Sequence, residues 1–427
     1  MKIILFYIYL FVFWAEKAGG LSLTSIKGFS LANLIIYMLL FYWAFKIIVL
    51  KRNLYEPNNI NTSLIMLILV FAFSILIKVM LGEVRNISIS HEIIALKNQC
   101  DPLLIFFILF NIFETKNDCQ QAIRGLLILL VMTLVTTFLV TSGLIEFGRL
   151  KVYTGVYGAG RSSGFGNPND YASYLVLFIP LILCSMLFKN ILSRYVSVVL
   201  LVMTLVGLII TGSRGGILSF IFSFLVVLWV LNHEKMIRFH RIMLLGPLFI
   251  LLCAGSYALA PTQVKETLEK KIIPNKMDVG PLQGIDRFTS GRTLILRSGL
   301  ALFIESPIYG HGQNTFLPLQ QQRFGITSVA HNRYLSYMVE YGIIGLAIYI
   351  IILIKIARYI WYRIKTSNKI NEKVLYISYL AGFCGYTFSL LGINAFDSPF
   401  PFWIYTAIIY KYAQIEDQED QNLVIPT

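Results

Sequence analysis

Long apolar runs recur along this chain, several reaching roughly the 17 to 20 residues that an α-helix needs to cross the hydrocarbon core of a bilayer. Lipid offers the backbone no hydrogen-bond partners, so segments of this kind fold as helices. The apolar windows predict about twelve spans, beginning near Ile3, Phe29, Ile60, Asp101, Ile123, Tyr171, Tyr195, Gly215, Ile242, Tyr334, Val374 and Phe400. The fold class is therefore all-α: a polytopic integral membrane protein whose residues 1–427 form a single membrane domain. Apolar residues make up 57% of the 427, which excludes an ordinary soluble class. The first run, Ile3 to Ala15, is short like a signal peptide. Ala15-Glu16-Lys17-Ala18 is a poor cleavage site, however, and the run reads as a retained first helix.

Lysine and arginine number 36 against 22 acids, a formal net charge of +14. On a soluble domain that excess would suggest nucleic acid. Here most of the cations sit in short loops between apolar runs, which is the positive-inside pattern and argues against a nucleic-acid partner. With the amino terminus in the cytoplasm, Lys51, Arg52, Lys116, Arg124, Lys189, Arg194, Lys235, Arg238, Arg241 and the cation-rich loop from Lys355 to Lys373 all fall on the cytoplasmic side. The carboxyl terminus falls there too. Gly82 to Gln99 is too polar for an ordinary span and reads as re-entrant or interfacial, and Lys78 reads as a helix-end cation that snorkels. Cys100, Cys119, Cys184, Cys253 and Cys384 lack CxxC spacing and imply neither a disulfide framework nor a metal site.

The opposite face receives Ser142 to Asp170, a tight turn around Arg214, and the large loop 261–333 between the ninth and tenth spans. That loop carries more cations than acids although long loops escape the positive-inside rule, and this favours an anionic ligand. Within it, Ser290-Gly291 opens an apolar-periodic run to Ile304, stopped by Ser306-Pro307, which predicts a helix lying on the membrane surface.

Three places on that face carry chemistry. Thr211-Gly212-Ser213-Arg214-Gly215-Gly216 joins two spans by a few residues, which holds a guanidinium at headgroup level, where a phosphate is a fitting partner. A snorkelling arginine touching lipid headgroups explains the same placement equally well. In Gly160 to Asp170, Asn167-Pro168-Asn169 is an ordinary turn and N-cap for the helix at Tyr171, which leaves Arg161 to be explained. His331 opens a span at His331-Asn332-Arg333-Tyr334, with no Cys or acid at metal-ligand spacing. A lone histidine is commonly structural, but Arg214, Arg292, Arg297 and Arg333 share its face, and positive charge keeps imidazole neutral and able to accept a proton. Glu340 and Gly342, in the helix that follows, are read first as packing contacts.

In order, Arg161-Ser-Ser-Gly-Phe-Gly-Asn-Pro-Asn169, Thr211-Gly-Ser-Arg-Gly-Gly216, Ser290-Gly-Arg292 leading to Glu305-Ser-Pro-Ile-Tyr-Gly-His-Gly312, and His331-Asn-Arg-Tyr-Leu335 leading to Glu340-Tyr-Gly-Ile-Ile-Gly345 resemble the O-antigen ligase and O-antigen polymerase superfamily of bacterial membrane glycosyltransferases. The resemblance runs from Gly160 to Gly345. It implies a GT-C-like protein of the bacterial inner membrane, with both termini cytoplasmic and the active site on the periplasmic face. It further implies glycan transfer from an undecaprenyl-diphosphate-linked donor to an acceptor hydroxyl, without metal or other cofactor. By the same resemblance, Arg214 and Arg292 hold the diphosphate, His331 is the catalytic base, and Arg161 is a further donor or glycan contact. Implied partners are the donor, a glycan or lipid A-core acceptor, the bilayer, and flippase and chain-length regulator proteins. The motifs do not separate polymerase, ligase and protein O-oligosaccharyltransferase. A transporter of a small anion or glycan and a non-catalytic assembly scaffold are the readings from other classes. The first lacks an inverted pair of interrupted helices, and the second leaves the outward Arg and His set unexplained.

Overall fold

Where the apolar windows fall, the computed structural model has helices. It describes residues 1–17, 30–50, 59–82, 89–145, 152–153, 161–162, 167–188, 191–237, 254–255, 257–258, 292–393 and 399–424. The helices are α1 (Lys2–Lys17), α2 (Leu31–Leu50), α3 (Asn59–Leu81), α4 (Ile89–Ile112), α5 (Lys116–Thr141), α6 (Pro168–Phe188), α7 (Arg194–Ile210), α8 (Arg214–His233), α9 (Arg292–Glu305), α10 (Phe316–Phe324), α11 (Arg333–Thr366), α12 (Ile370–Ser389) and α13 (Pro399–Val424). A two-residue antiparallel pairing, β1 (Val152–Tyr153) with β2 (Arg161–Ser162), is the sheet structure among the described residues. Seven helices, α2 to α6, α8 and α11, are long and apolar enough to cross a membrane. The expected span near Ile242 lies outside the described residues, as does the part 261–291 of the loop expected over 261–333.

Ion pairs sort the helix ends into two groups. At one end Lys2 meets Asp118 at 2.7 Å, and Lys116 bridges Glu372 at 2.9 Å and Glu419 at 2.7 Å. Glu234 there takes Lys365 at 2.8 Å and Lys373 at 3.1 Å, while Arg363 meets Glu416 at 3.0 Å. Burial works against ionisation of Glu234, but the two lysines outweigh it and hold its carboxyl at about 2. This basic end joins the starts of α1, α5 and α12 to the ends of α8, α11 and α13. Lys2 and Glu419 therefore lie at the same end of the bundle. At the other end the Glu16 carboxylate accepts from the Leu31 N–H at 2.6 Å, and the Arg333 N–H donates to the Leu390 carbonyl at 2.9 Å. The chain leaves the basic end at residue 237, and α9 opens at the opposite one.

The centre of the bundle is α6, packed against α7, α8 and α12, with nearly every side chain from Pro168 to Ser185 buried. On the outside, α2 and α3 present Phe41, Leu69 and Phe73 uncovered. A face that meets hydrocarbon has no need of polar residues.

From Ile89 on, the polar stretch that the sequence assigns to a re-entrant or interfacial segment instead opens α4, a helix continuous to Ile112 through an internal Pro102. The difference has a local cause. Lys78 does not snorkel: it is 4% exposed and pairs with Glu92, 6% exposed, at 2.6 Å. The Lys78 ammonium also donates to the Gln313 carbonyl at 3.2 Å, and the Gln313 amide donates to the Glu92 carbonyl at 2.8 Å and its carboxylate at 3.1 Å. A polar helix start is thus satisfied inside protein rather than in lipid. Lys78→Ala strands the Glu92 charge and should lower unfolding stability by about 3–5 kcal/mol, whereas Lys78→Met with Glu92→Met should recover most of it. Unfolding titrations in mixed micelles read both; a single variant as stable as the parent would return Lys78 to the snorkelling role.

Candidate functional site

The α7–α8 turn is shaped by its own hydroxyls. Thr211 Oγ1 donates to the Leu208 carbonyl at 2.6 Å and accepts from the Ser213 N–H at 3.2 Å, while Gly212 takes φ +57°. Ser213 is the N-cap of α8, its Oγ accepting from the Gly216 N–H at 3.2 Å. Capping in this way fixes Arg214 as the first residue of the helix. The two glycines differ. A side chain at Gly216 would sit 2.5 Å from the Ala172 Cβ, so this glycine serves the close packing of α8 on α6. Gly215 faces open space, and of the pair it alone leaves room for a ligand beside the helix start.

Arg292 opens α9, whose inner face packs on the beginning of α11. That beginning is unusual. His331 has φ +46°, a left-handed conformation costing a non-glycine residue on the order of 1 kcal/mol. Asn332 then caps α11, its Oδ1 accepting from the Leu335 N–H at 3.0 Å. The following motif breaks the helix: Gly342 has φ +62° and ψ −165°. Into the break docks the 306–312 segment, with the His311 and Gly312 N–H groups donating to the Val339 and Glu340 carbonyls at 2.9 Å each and the Ile343 N–H to the Pro307 carbonyl at 2.8 Å. A Cβ on Gly342 would meet the Ile308 carbonyl oxygen at 2.2 Å, and one on Gly310 the Glu340 carbonyl carbon at 2.5 Å. The motifs ending in Gly312 and Gly345 are therefore two halves of one clasp. The Glu340 carboxylate accepts from the backbone N–H groups of Asn314 and Phe316, which anchors the start of α10. His311 is structural, its ring donating from Nε2 to the Leu302 carbonyl at 2.8 Å.

Held this way, Arg214 comes within electrostatic reach of Arg292, and Arg292 within reach of His331. Burial, and then the charge of Arg214, push the Arg292 guanidinium below its ordinary value. Burial, and then the charge of Arg292, push the His331 imidazole below 6.5. Both effects penalise a cation, so the histidine is neutral in neutral water and an anion beside Arg292 is favoured. Arg292 makes no ion pair among the described residues. The other cations of that face act elsewhere. Arg333 donates to the Gln99 side chain at 2.5 Å and lies 4.7 Å over the Tyr337 ring, Arg323 pairs with Glu305, and Arg297 is exposed.

Arg161 pairs through its backbone with Tyr153, and its side chain lies outside the described residues. Asn167 and Asn169 take the expected turn, the Asn169 N–H donating to Asn167 Oδ1 at 2.8 Å ahead of α6. Gly392 is a site neighbour that sequence reasoning misses: a Cβ there would lie 3.2 Å from Arg292 Nη1. No motif signals it, because it adjoins the site only through the docking of the α12 end on the α11 start. Among the described residues no group of three or more His, Cys, Asp or Glu side chains is placed to hold a metal.

A bundle of apolar helices whose turns gather two arginines and a histidine at one end defines a multi-pass membrane protein with a candidate anion site. Residues 197–350, just over a third of the chain, match the family model described as O-antigen ligase. The chain is thus similar to the O-antigen ligase and polymerase superfamily over a stretch that includes Arg214, Arg292 and His331 and excludes Arg161. No curated protein matches it.

Proposed function

We propose that the chain transfers a glycan from an undecaprenyl-diphosphate-linked donor to an acceptor hydroxyl, building surface polysaccharide at the periplasmic side of the bacterial inner membrane. The family match supports glycan transfer of the ligase or polymerase kind in general. The observation that carries the finer reading is the electrostatic chain from Arg214 through Arg292 to a neutral-leaning His331. In this reading the acceptor oxygen attacks the anomeric carbon and its proton passes to His331. The bond from that carbon to the diphosphate breaks, and charge building on the leaving lipid diphosphate is met by Arg214 and Arg292. Arg161 is a further donor contact. The opposite end holds the cation-rich connections Lys116, Lys235, Lys365, Lys369 and Lys373, which favours placing it, with both termini, in the cytoplasm.

The leaving group is already a stabilised diphosphate, so two guanidiniums suffice and no metal is required. Transfer by the purified chain should continue in excess EDTA; loss of turnover restored by Mg2+ would refute that part. Gly392 supplies a subtler test. Gly392→Val places a methyl group against the Arg292 guanidinium, and a displacement on the order of 1 Å in such a group lowers turnover by up to about 100-fold. Thermal stability should hold, since the displaced group is the tip of a flexible side chain. Unaltered kinetics would mean that the position of Arg292 is immaterial.

A further inference from the structure

The basic end contains a cavity of about 440 Å3 that the transfer reaction does not use. It lies between the first turns of α5, the start of α12 and the late part of α13, at the end of the bundle opposite His331. Its volume is within the roughly 300–1,000 Å3 typical of small-molecule sites. The lining divides by chemistry. Arg124 and Lys369 stand at its exposed rim, whereas Ile123 and Leu375 are buried in its wall and Ile370 lies 60% exposed beside them.

Neither rim cation is held in a close ion pair among the described residues. Arg124 makes no ion pair among the described residues. Lys369 is 64% exposed and approaches Glu372 only to 3.8 Å. Glu372, the acid of the cavity, is engaged elsewhere: its Oε1 takes Lys116 at 2.9 Å and the Tyr412 hydroxyl at 3.4 Å. The cavity therefore presents more positive charge than its one acid offsets, since Glu372 meets Lys369 only at 3.8 Å and is held more closely by Lys116. Lys369 is also the N-cap residue of α12 and provides no side-chain cap, so the first turn of that helix adds to the attraction for an anion.

We infer that this cavity seats the phosphate headgroup of an anionic phospholipid from the leaflet at the basic end. A free phosphate would use the two cations but not the isoleucines. A lipid uses both, its phosphodiester at the rim and its glycerol and first acyl carbons along Ile123 and Ile370. Basic pockets between helix ends at the cytoplasmic membrane surface are suited to such headgroups.

The test is native mass spectrometry of the full chain from nanodiscs of phosphatidylcholine containing one-fifth phosphatidylglycerol. The parent should retain one phosphatidylglycerol in preference to phosphatidylcholine. Arg124→Ala with Lys369→Ala should weaken that retention by roughly thirtyfold, about fivefold for each cation lost near a membrane surface. Arg358→Ala, which removes an exposed cation at the same end but outside the cavity, should retain the lipid as the parent does. Equal retention by the double variant, or equal loss from Arg358→Ala, would overturn the assignment. So would displacement of the lipid by millimolar inorganic phosphate, which would make the occupant a free anion. None of these readouts depends on glycan transfer.

Discussion

His331→Gln should yield a chain that still binds the lipid-linked donor but turns over about 10²–10⁴-fold more slowly, the usual worth of a positioned general base. His331→Ala should behave alike, because the proton to be removed belongs to the acceptor and not to the diphosphate. The pH profile gives the same residue a second signature. Burial and Arg292 lower the His331 value, so the neutral form that accepts a proton persists below 6.5 and is lost only as pH falls further. The acidic limb of kcat/KM, which reports the free enzyme, should therefore have its midpoint under 6.5. Removing the neighbouring charge with Arg292→Gln should move the limb of the residual activity upward. A parent limb above 6.5, or one that Arg292→Gln leaves in place, would separate the histidine from the arginine.

The arginines should fail in a different way. Arg214→Lys and Arg292→Lys keep the charge but lose the planar fork that grips two phosphate oxygens at once. Each is expected to cost about 10²–10³-fold in turnover, the range for losing one donor to a developing negative charge, with weaker donor binding and an unchanged protein level. Donor affinity thus separates the residues: retained in the His331 variants, reduced in the arginine variants. A parent-like Arg214→Lys enzyme would leave Arg214 as an anchor to lipid headgroups, the competing reading of its turn.

The apolar runs and loop charges made most of the helices legible, since both are local properties of the chain. The same holds for the helix α9, announced by the residues that open and stop its apolar-periodic run. What escaped the sequence depends on contacts between distant segments. Lys78 looked like a snorkelling cation because its partners, Glu92 and Gln313, lie 14 and 235 residues away. The break at Gly342 was hidden inside an apolar run, and only the docked 306–312 segment satisfies the backbone groups it frees. Arg333 was grouped with the anion-facing cations, but Gln99 and Tyr337 hold it within the bundle. Arg214, Arg292 and His331 were chosen from turn chemistry and resemblance. Their approach to one another depends on the packing of α8, α9, α11 and α12, which no window of sequence contains.

The central claim, a glycosyl transfer centre built from Arg214, Arg292 and His331, is tested most directly with the purified chain in proteoliposomes, a synthetic undecaprenyl-diphosphate glycan, a glycan acceptor and EDTA. The account predicts a product whose mass is the acceptor plus the donor glycan, with undecaprenyl diphosphate released in equal amount, and a rate lower by about 10²–10⁴-fold from His331→Gln in vesicles that still bind the donor. Transport of the glycan across the membrane without any such product, or product formed by His331→Gln at the parent rate, would contradict it.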